Sequence, residues 1–180
     1  MGKSSGCLGE MRAFAAFVVR LMQNRMYFYG YLLALGWLCL SLFFQPTVFF
    51  YGNGELIACA PAGIGRQGQQ FSLRFIHSVQ KTPVREDLVV EPGGFRLLRT
   101  EYQSFGVGLP FLETEGDFRQ EGNVYVMDHM DRRFPELSLR TGVGTQLTLY
   151  LNGKEYKLYE MFPPGTRIDV RVEPVYRKWS

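Results

Sequence analysis

The chain has few of the residues from which catalytic or metal sites are usually built. Its 180 residues include 3 cysteines and 2 histidines, and no C-x-x-C pair occurs, so a structural zinc site is not expected. Only Cys59 follows residue 44, so no disulfide is expected within the C-terminal part. The G-x-S-x-G elbow, the P-loop and the dinucleotide fingerprint are also missing. We therefore predict no catalytic residue, no metal and no cofactor.

Charge is missing from one long run, Met26–Phe44, which reads MYFYGYLLALGWLCLSLFF. A helix needs about 20 mostly apolar residues to cross the hydrocarbon core of a bilayer. Three tyrosines lie at the start of the run, and aromatic rings of this kind favour the headgroup level. The run predicts a single transmembrane helix over residues 26–44.

The residues before this run are basic, and they set the predicted orientation. Lys3, Arg12, Arg20 and Arg25 stand there against Glu10 alone. The positive-inside rule places such a segment in the cytoplasm. The run is longer than the core of a signal peptide and no A-x-A site follows, which favours an uncleaved anchor. The predicted location is the cytoplasmic (inner) membrane, crossed once.

Three segments follow from this topology. Residues 1–25 are a cytoplasmic basic segment, either an interfacial amphipathic helix or an extension of the span. Residues 26–44 cross the membrane, and residues 45–180 form an extracytoplasmic (periplasmic) domain. That domain has 16 basic and 16 acidic residues, so it has no net charge with which to attract nucleic acid.

The domain after Pro46 shows short alternating segments separated by Gly, Pro and Asn, which is typical of an all-β fold. Residues 61–70 are interpreted as a loop. We predict an antiparallel β-sandwich or barrel-like domain with no further helix. The predicted strands are Thr47–Tyr51, Leu56–Ala60, Phe71–His77, Val84–Glu91, Phe95–Tyr102, Asn123–Asp128, Leu137–Arg140, Gln146–Leu151, Lys154–Tyr159 and Arg167–Val172.

Two hairpins allow a prediction of register. Asn152-Gly153 is a strong two-residue turn signal, and it pairs Leu151 with Lys154, Leu149 with Tyr156 and Leu147 with Leu158. At Pro92-Gly93-Gly94, a Gly-Gly loop would place Glu86 opposite Glu101, a like-charge pair. A three-residue loop is therefore predicted, which pairs Asp87 with Arg99, Arg85 with Glu101 and Leu88 with Leu98.

Several polar residues are candidates for chemistry. His77 and Ser78 are adjacent, but neighbours on a strand point to opposite faces, so the histidine cannot activate that serine there. Ser104 could instead meet His77, with Glu86 or Glu101 orienting the ring, as in a hydrolase.

Two further stretches have both a functional and a plain interpretation. Gly106 and Gly108 could form a nest of backbone amides for an anion or a simple turn. The stretch Met127–Arg133 could hold a divalent ion with Asp128, His129 and Asp131 or be a solvated loop.

The stretches HSVQKTPVRE and EYQSFGVGLP resemble the two signatures of the domain-of-unknown-function family 1850. The resemblance covers about Leu56 to Val172, and the position after Val79, often acidic in that family, is Gln80 here. The best-matching residues are His77, Ser78, Thr82, Glu86, Tyr102, Ser104, Phe105, Gly106, Gly108 and Pro110. The family comprises small exported or membrane-anchored bacterial and archaeal proteins, often encoded beside TAXI-type TRAP transporters.

The resemblance implies an accessory or interaction subunit on the outer face of the membrane, serving a transporter of small organic acids. Its partners would be the permease, the solute-binding protein or both. The predicted ligand- or partner-binding residues are His77, Ser78, Glu86, Glu101, Tyr102, Ser104, Phe105, Gly106 and Gly108. The alternatives are a small-ligand module with a polar pocket around His77, Glu86 and Ser104, an exported hydrolase, and polar residues that only stabilise the strands.

Overall fold

The computed structural model describes Arg25 and residues 27–64, 67–104 and 116–176. The chain divides into two compact units, residues 1–44 and 45–180. In the first unit, residues 27–43 form helix α1, and all of its side chains are exposed. Among the described residues, no helix combines the length and the apolar character that crossing a membrane requires. The span over residues 26–44 stays a prediction, and the basic segment 1–25 lies outside the described residues except for Arg25.

The second unit is built almost entirely from strands. In chain order they are β1 (Pro46–Gly52), β2 (Glu55–Pro61), β3 (Gly63–Ile64), β4 (Gln67–Gly68), β5 (Gln70–Ile76), β6 (Pro83–Glu91), β7 (Gly94–Tyr102), β8 (Asp117–Glu121), β9 (Val124–Asp128), β10 (Arg132–Phe134), β11 (Leu137–Arg140), β12 (Thr148–Leu151), β13 (Lys154–Lys157), the short helix α2 (Leu158–Met161) and β14 (Arg167–Pro174).

These strands form two main sheets whose paired strands are antiparallel. The small sheet has the order β11-β14-β1-β2. The large sheet has the order β13-β12-β5-β6-β7-β9-β8, and β10 pairs with β7 beside this path. The predicted mainly β, antiparallel fold is confirmed.

One apolar core joins the two sheets. Val48 and Phe50 of the small sheet and Leu73, Leu88 and Leu149 of the large sheet belong to the same buried cluster. In β7, for example, the alternate residues Phe95 and Leu97 face this core, as expected for a sandwich of two sheets.

Three phenylalanines form a chain of ring contacts between the two sheets within this core. Phe50 contacts Phe71 edge to face at 5.1 Å between ring centroids, and Phe71 contacts Phe95 at 6.0 Å in the same manner. Phe50 comes from the small sheet, whereas Phe71 and Phe95 come from the large one.

The hairpin at Asn152-Gly153 has the predicted register. Leu151 pairs with Lys154 and Leu149 with Tyr156, and both turn residues have positive φ. The prediction was wrong one step further, where Leu158 begins α2 instead of continuing the ladder opposite Leu147.

The hairpin between β6 and β7 combines two registers. Asp87 pairs with Arg99 and Arg85 with Glu101, as predicted, but Leu88 pairs with Leu97. The turn itself is the two-residue loop Pro92-Gly93, and the ladder is shifted by one residue between Asp87 and Leu88. The predicted three-residue loop was wrong because a β-bulge at Leu98 supplies the extra residue instead.

Three other expectations need correction. Residues 61–70 are not a plain loop, since β3 and β4 pair within them. Strands β8 and β10 were not predicted, because β8 is exposed along its whole length and β10 has only three residues. Helix α2 was also missed; it is a single turn closed by the Phe162 N–H donating to the Leu158 carbonyl at 3.0 Å.

Candidate functional site

His77, Ser78 and Ser104 lie at the end of the large sheet where the turn 77–82 joins β5 to β6. The His77 N–H donates to the Thr82 carbonyl at 2.9 Å. The ring nitrogen Nδ1 of His77 accepts from the backbone N–H groups of Val79 and Gln80, at 3.3 and 3.2 Å. This nitrogen therefore stabilises the turn and is not free to act as a base toward a serine.

Ser104 approaches the same turn from the end of β7. Its hydroxyl donates to Gln80 Oε1 at 3.2 Å. Ser104 therefore lies at the turn that His77 begins, but it contacts the side chain of Gln80. Gln80 occupies the position after Val79, which is often acidic in the family that the sequence resembles. Inside the turn, the Thr82 hydroxyl is buried and has no hydrogen-bond partner among the residues that the structure describes.

Glu86 and Glu101 lie on opposite faces of the large sheet. Glu86 pairs with Thr100 across β6 and β7, so Glu101, the next residue of β7, points the other way. The two carboxylates cannot line one pocket or orient one ring. The predicted pocket around His77, Glu86 and Ser104 does not include Glu101, and it stays a prediction.

Glu86 lies on the face that points into the sandwich. Its cross-strand neighbours are the buried residues Leu73 and Thr100. Within the described part of the chain its carboxylate makes no hydrogen bond and no ion pair. Burial raises the pKa of the Glu86 carboxyl, and the positive charge of Arg132 opposes that rise.

Glu86→Gln is expected to stabilise the domain at neutral pH by about 1 kcal/mol, because it removes a charge that is poorly compensated. The pKa of the Glu86 carboxyl is raised in the folded state, so protonation of this group stabilises the folded state. That stabilisation is complete at pH values below the unfolded-state pKa, and it is lost as the pH rises through the folded-state pKa. The advantage of the variant should therefore shrink on acidification. Urea unfolding at several pH values measures it, with the exposed Glu136→Gln as the control. A variant less stable than the wild type at pH 7 would contradict this expectation.

The outer face of the large sheet, by contrast, is covered by paired charges. Arg99 contacts Glu101 at 2.5 Å and Asp128 at 3.5 Å, and Arg119 also contacts Asp128. Arg85 contacts Asp87 at 3.0 Å. Glu101 is thus one member of a network of ion pairs, which the sequence could have indicated through the predicted pairs Asp87–Arg99 and Arg85–Glu101.

The remaining predicted residues have separate places. Tyr102 is buried and packs against Tyr125, with ring centroids 5.7 Å apart. Ser78 lies in the turn after β5. Phe105, Gly106 and Gly108 fall outside the described residues, so the proposed nest of amides stays a prediction.

In the stretch Met127–Arg133 the acidic side chains contact arginines. Asp131 contacts Arg133 at 3.1 Å, while His129 contacts Asp117 at 2.8 Å. No group of three or more potential metal ligands comes together among the residues described here. In this stretch the carboxylates therefore act as partners of arginine in ion pairs.

The geometry defines a two-sheet antiparallel β domain with a polar turn at one end and an ion-paired outer face. Residues 71–158 match the family described as a domain of unknown function, DUF1850, so this segment belongs to the DUF1850 family. It contains nearly all of the large sheet, including the turn 77–82. Comparison with curated proteins and with solved structures gave no match.

Proposed function

We propose that the protein is a membrane-attached accessory subunit whose β domain recognises another protein on the extracytoplasmic side. The observation that carries this proposal is α1, which has no charged residue over positions 27–43, exposes every side chain and belongs to a unit distinct from the β domain. At 1.5 Å per residue its 17 described residues are about 25 Å long, which is shorter than the ~30 Å hydrocarbon core of a bilayer. The basic residues before it favour a cytoplasmic N-terminus.

The contacts at the candidate site favour binding over catalysis. His77 Nδ1 is engaged by the backbone of its own turn, and Ser104 contacts Gln80. Glu86 and Glu101 are separated by the sheet. Among the predicted site residues that the structure describes, no nucleophile has a base beside it. The outer sheet face, by contrast, presents many charged groups that a partner protein could recognise.

The partner we propose is the permease or the solute-binding protein of a TAXI-type TRAP transporter of small organic acids. Its support is the family resemblance of the two signature stretches. A membrane subunit of a secondary transporter would need both an anchor and a recognition domain, and the two units of this chain provide candidates for each.

Co-purification of the tagged full-length protein from native membranes tests the proposal. We expect the permease or the solute-binding protein to be recovered in stoichiometric amount. The matched control is a chain in which residues 1–44 carry an unrelated domain, which shows whether the β domain is required. Recovery of the tagged protein alone after mild solubilisation, or equal recovery of the partner with the control, would contradict the proposal.

A further inference from the structure

Two arginines face each other directly across neighbouring strands of the large sheet. Arg74 of β5 pairs in register with Arg85 of β6, so both side chains project from the outer face. Like charges placed directly opposite each other destabilise a sheet. Such a pair calls for a negative group between or beside the two guanidinium groups.

Within the described residues, an acidic side chain contacts Arg85 but not Arg74. Arg85 contacts Asp87 through Nε at 3.0 Å and donates through Nη2 to the Ser72 hydroxyl at 3.3 Å. Arg74 is exposed, and within the described residues it makes neither a hydrogen bond nor an ion pair. Glu101, the other acid near Arg85, is held by Arg99 at 2.5 Å.

The two arginines line a groove of about 420 Å³ on this face. Pro83 and Val124 give the groove an apolar part, and Tyr150 borders it beside the arginines. Its volume falls within the range of small-molecule sites in proteins. A planar guanidinium matches a carboxylate through two parallel hydrogen bonds, and the apolar side chains suit a hydrocarbon body.

We propose that this groove binds a small organic acid, with Arg74 as the principal carboxylate ligand and Arg85 as the supporting charge. The ligand's anion would offset the repulsion between the two arginines, and its hydrocarbon part would lie against Pro83 and Val124. The site does not depend on the proposed accessory role, because it uses residues of the β domain alone.

Thermal unfolding of the full-length protein in mild detergent, with and without added anion, tests the site. The probes are benzoate, hexanoate and succinate at millimolar concentration. A ligand that binds only the folded state raises the unfolding temperature, so at least one probe should do so in a saturable manner. Arg74→Gln should weaken its binding about 10- to 100-fold, while Arg171→Gln, on the small sheet, should leave it unchanged.

A second measurement separates a ligand-binding arginine from a structural one. Without added anion, Arg74→Gln should unfold at the same temperature as the wild type or higher, since it removes a like-charge pair. Arg74→Glu should be more stable still, because it places an acid opposite Arg85, and it should bind none of the probes. Failure of all three probes to protect the wild type, equal protection by sulfate, or unchanged binding in Arg74→Gln would overturn the proposal.

Discussion

Two lysines placed in the middle of α1, at Leu35 and Leu38, are expected to release the protein from membranes. Both leucines are more than half exposed, so the substitutions break no packing within the described helix. A lysine at the centre of a membrane-inserted helix costs about 2.5 to 3.5 kcal/mol. Two of them cost about 5 to 7 kcal/mol on that scale, which is enough to reverse a partition that depends on one helix.

Flotation of cell extracts through a density gradient measures this effect. The wild-type protein should rise with the vesicles, and the double-lysine variant should stay at the bottom. Leu35→Met with Leu38→Met is the matched control, because it keeps the helix apolar and should float. If the double-lysine variant floats as well as the wild type, α1 is not the membrane attachment.

Phe50→Ala is expected to destabilise the β domain by about 3 to 5 kcal/mol. The Phe50 side chain is 1% exposed and is the member of the aromatic group that comes from the small sheet. Its removal would leave a cavity between the sheets and take away the edge-to-face contact with Phe71. A loss of this size is a large part of the stability of an ordinary domain.

Chemical denaturation followed by circular dichroism gives the change in the free energy of unfolding. Phe118→Ala is the matched control, since Phe118 is 40% exposed on the edge strand β8 and should cost much less. Equal losses for the two variants would show that the sandwich does not depend on the contact between Phe50 and Phe71.

Much of the β fold could be predicted because its strands alternate clearly. Each predicted strand has its counterpart, and the register at Asn152-Gly153 followed from the turn residues. The bulge at Leu98 could not be predicted, because a turn of two residues with a bulge and a turn of three residues give the same pairs farther along the hairpin. The return of β10 to β7 depends on contacts that no local pattern indicates.

The candidate site could be predicted only in part, for a different reason. The predicted pair of Arg85 with Glu101 already implied that Glu86 lies on the other face, since neighbouring strand residues alternate. By contrast, the contact of Ser104 with Gln80 joins two loops, and loop positions are set by the whole fold rather than by a repeating pattern. The opposed arginines followed only once the β5–β6 register was known.

The position of β14 has a consequence for biosynthesis. Of the described strands it is the last in sequence, and it lies between β11 and β1. Its pairing joins Pro46 to Pro174, which are far apart in the sequence. The small sheet cannot be completed until the residues of β14, up to Pro174, have left the ribosome. The emerging chain must therefore keep the apolar face of β1 from premature association until its final partner arrives.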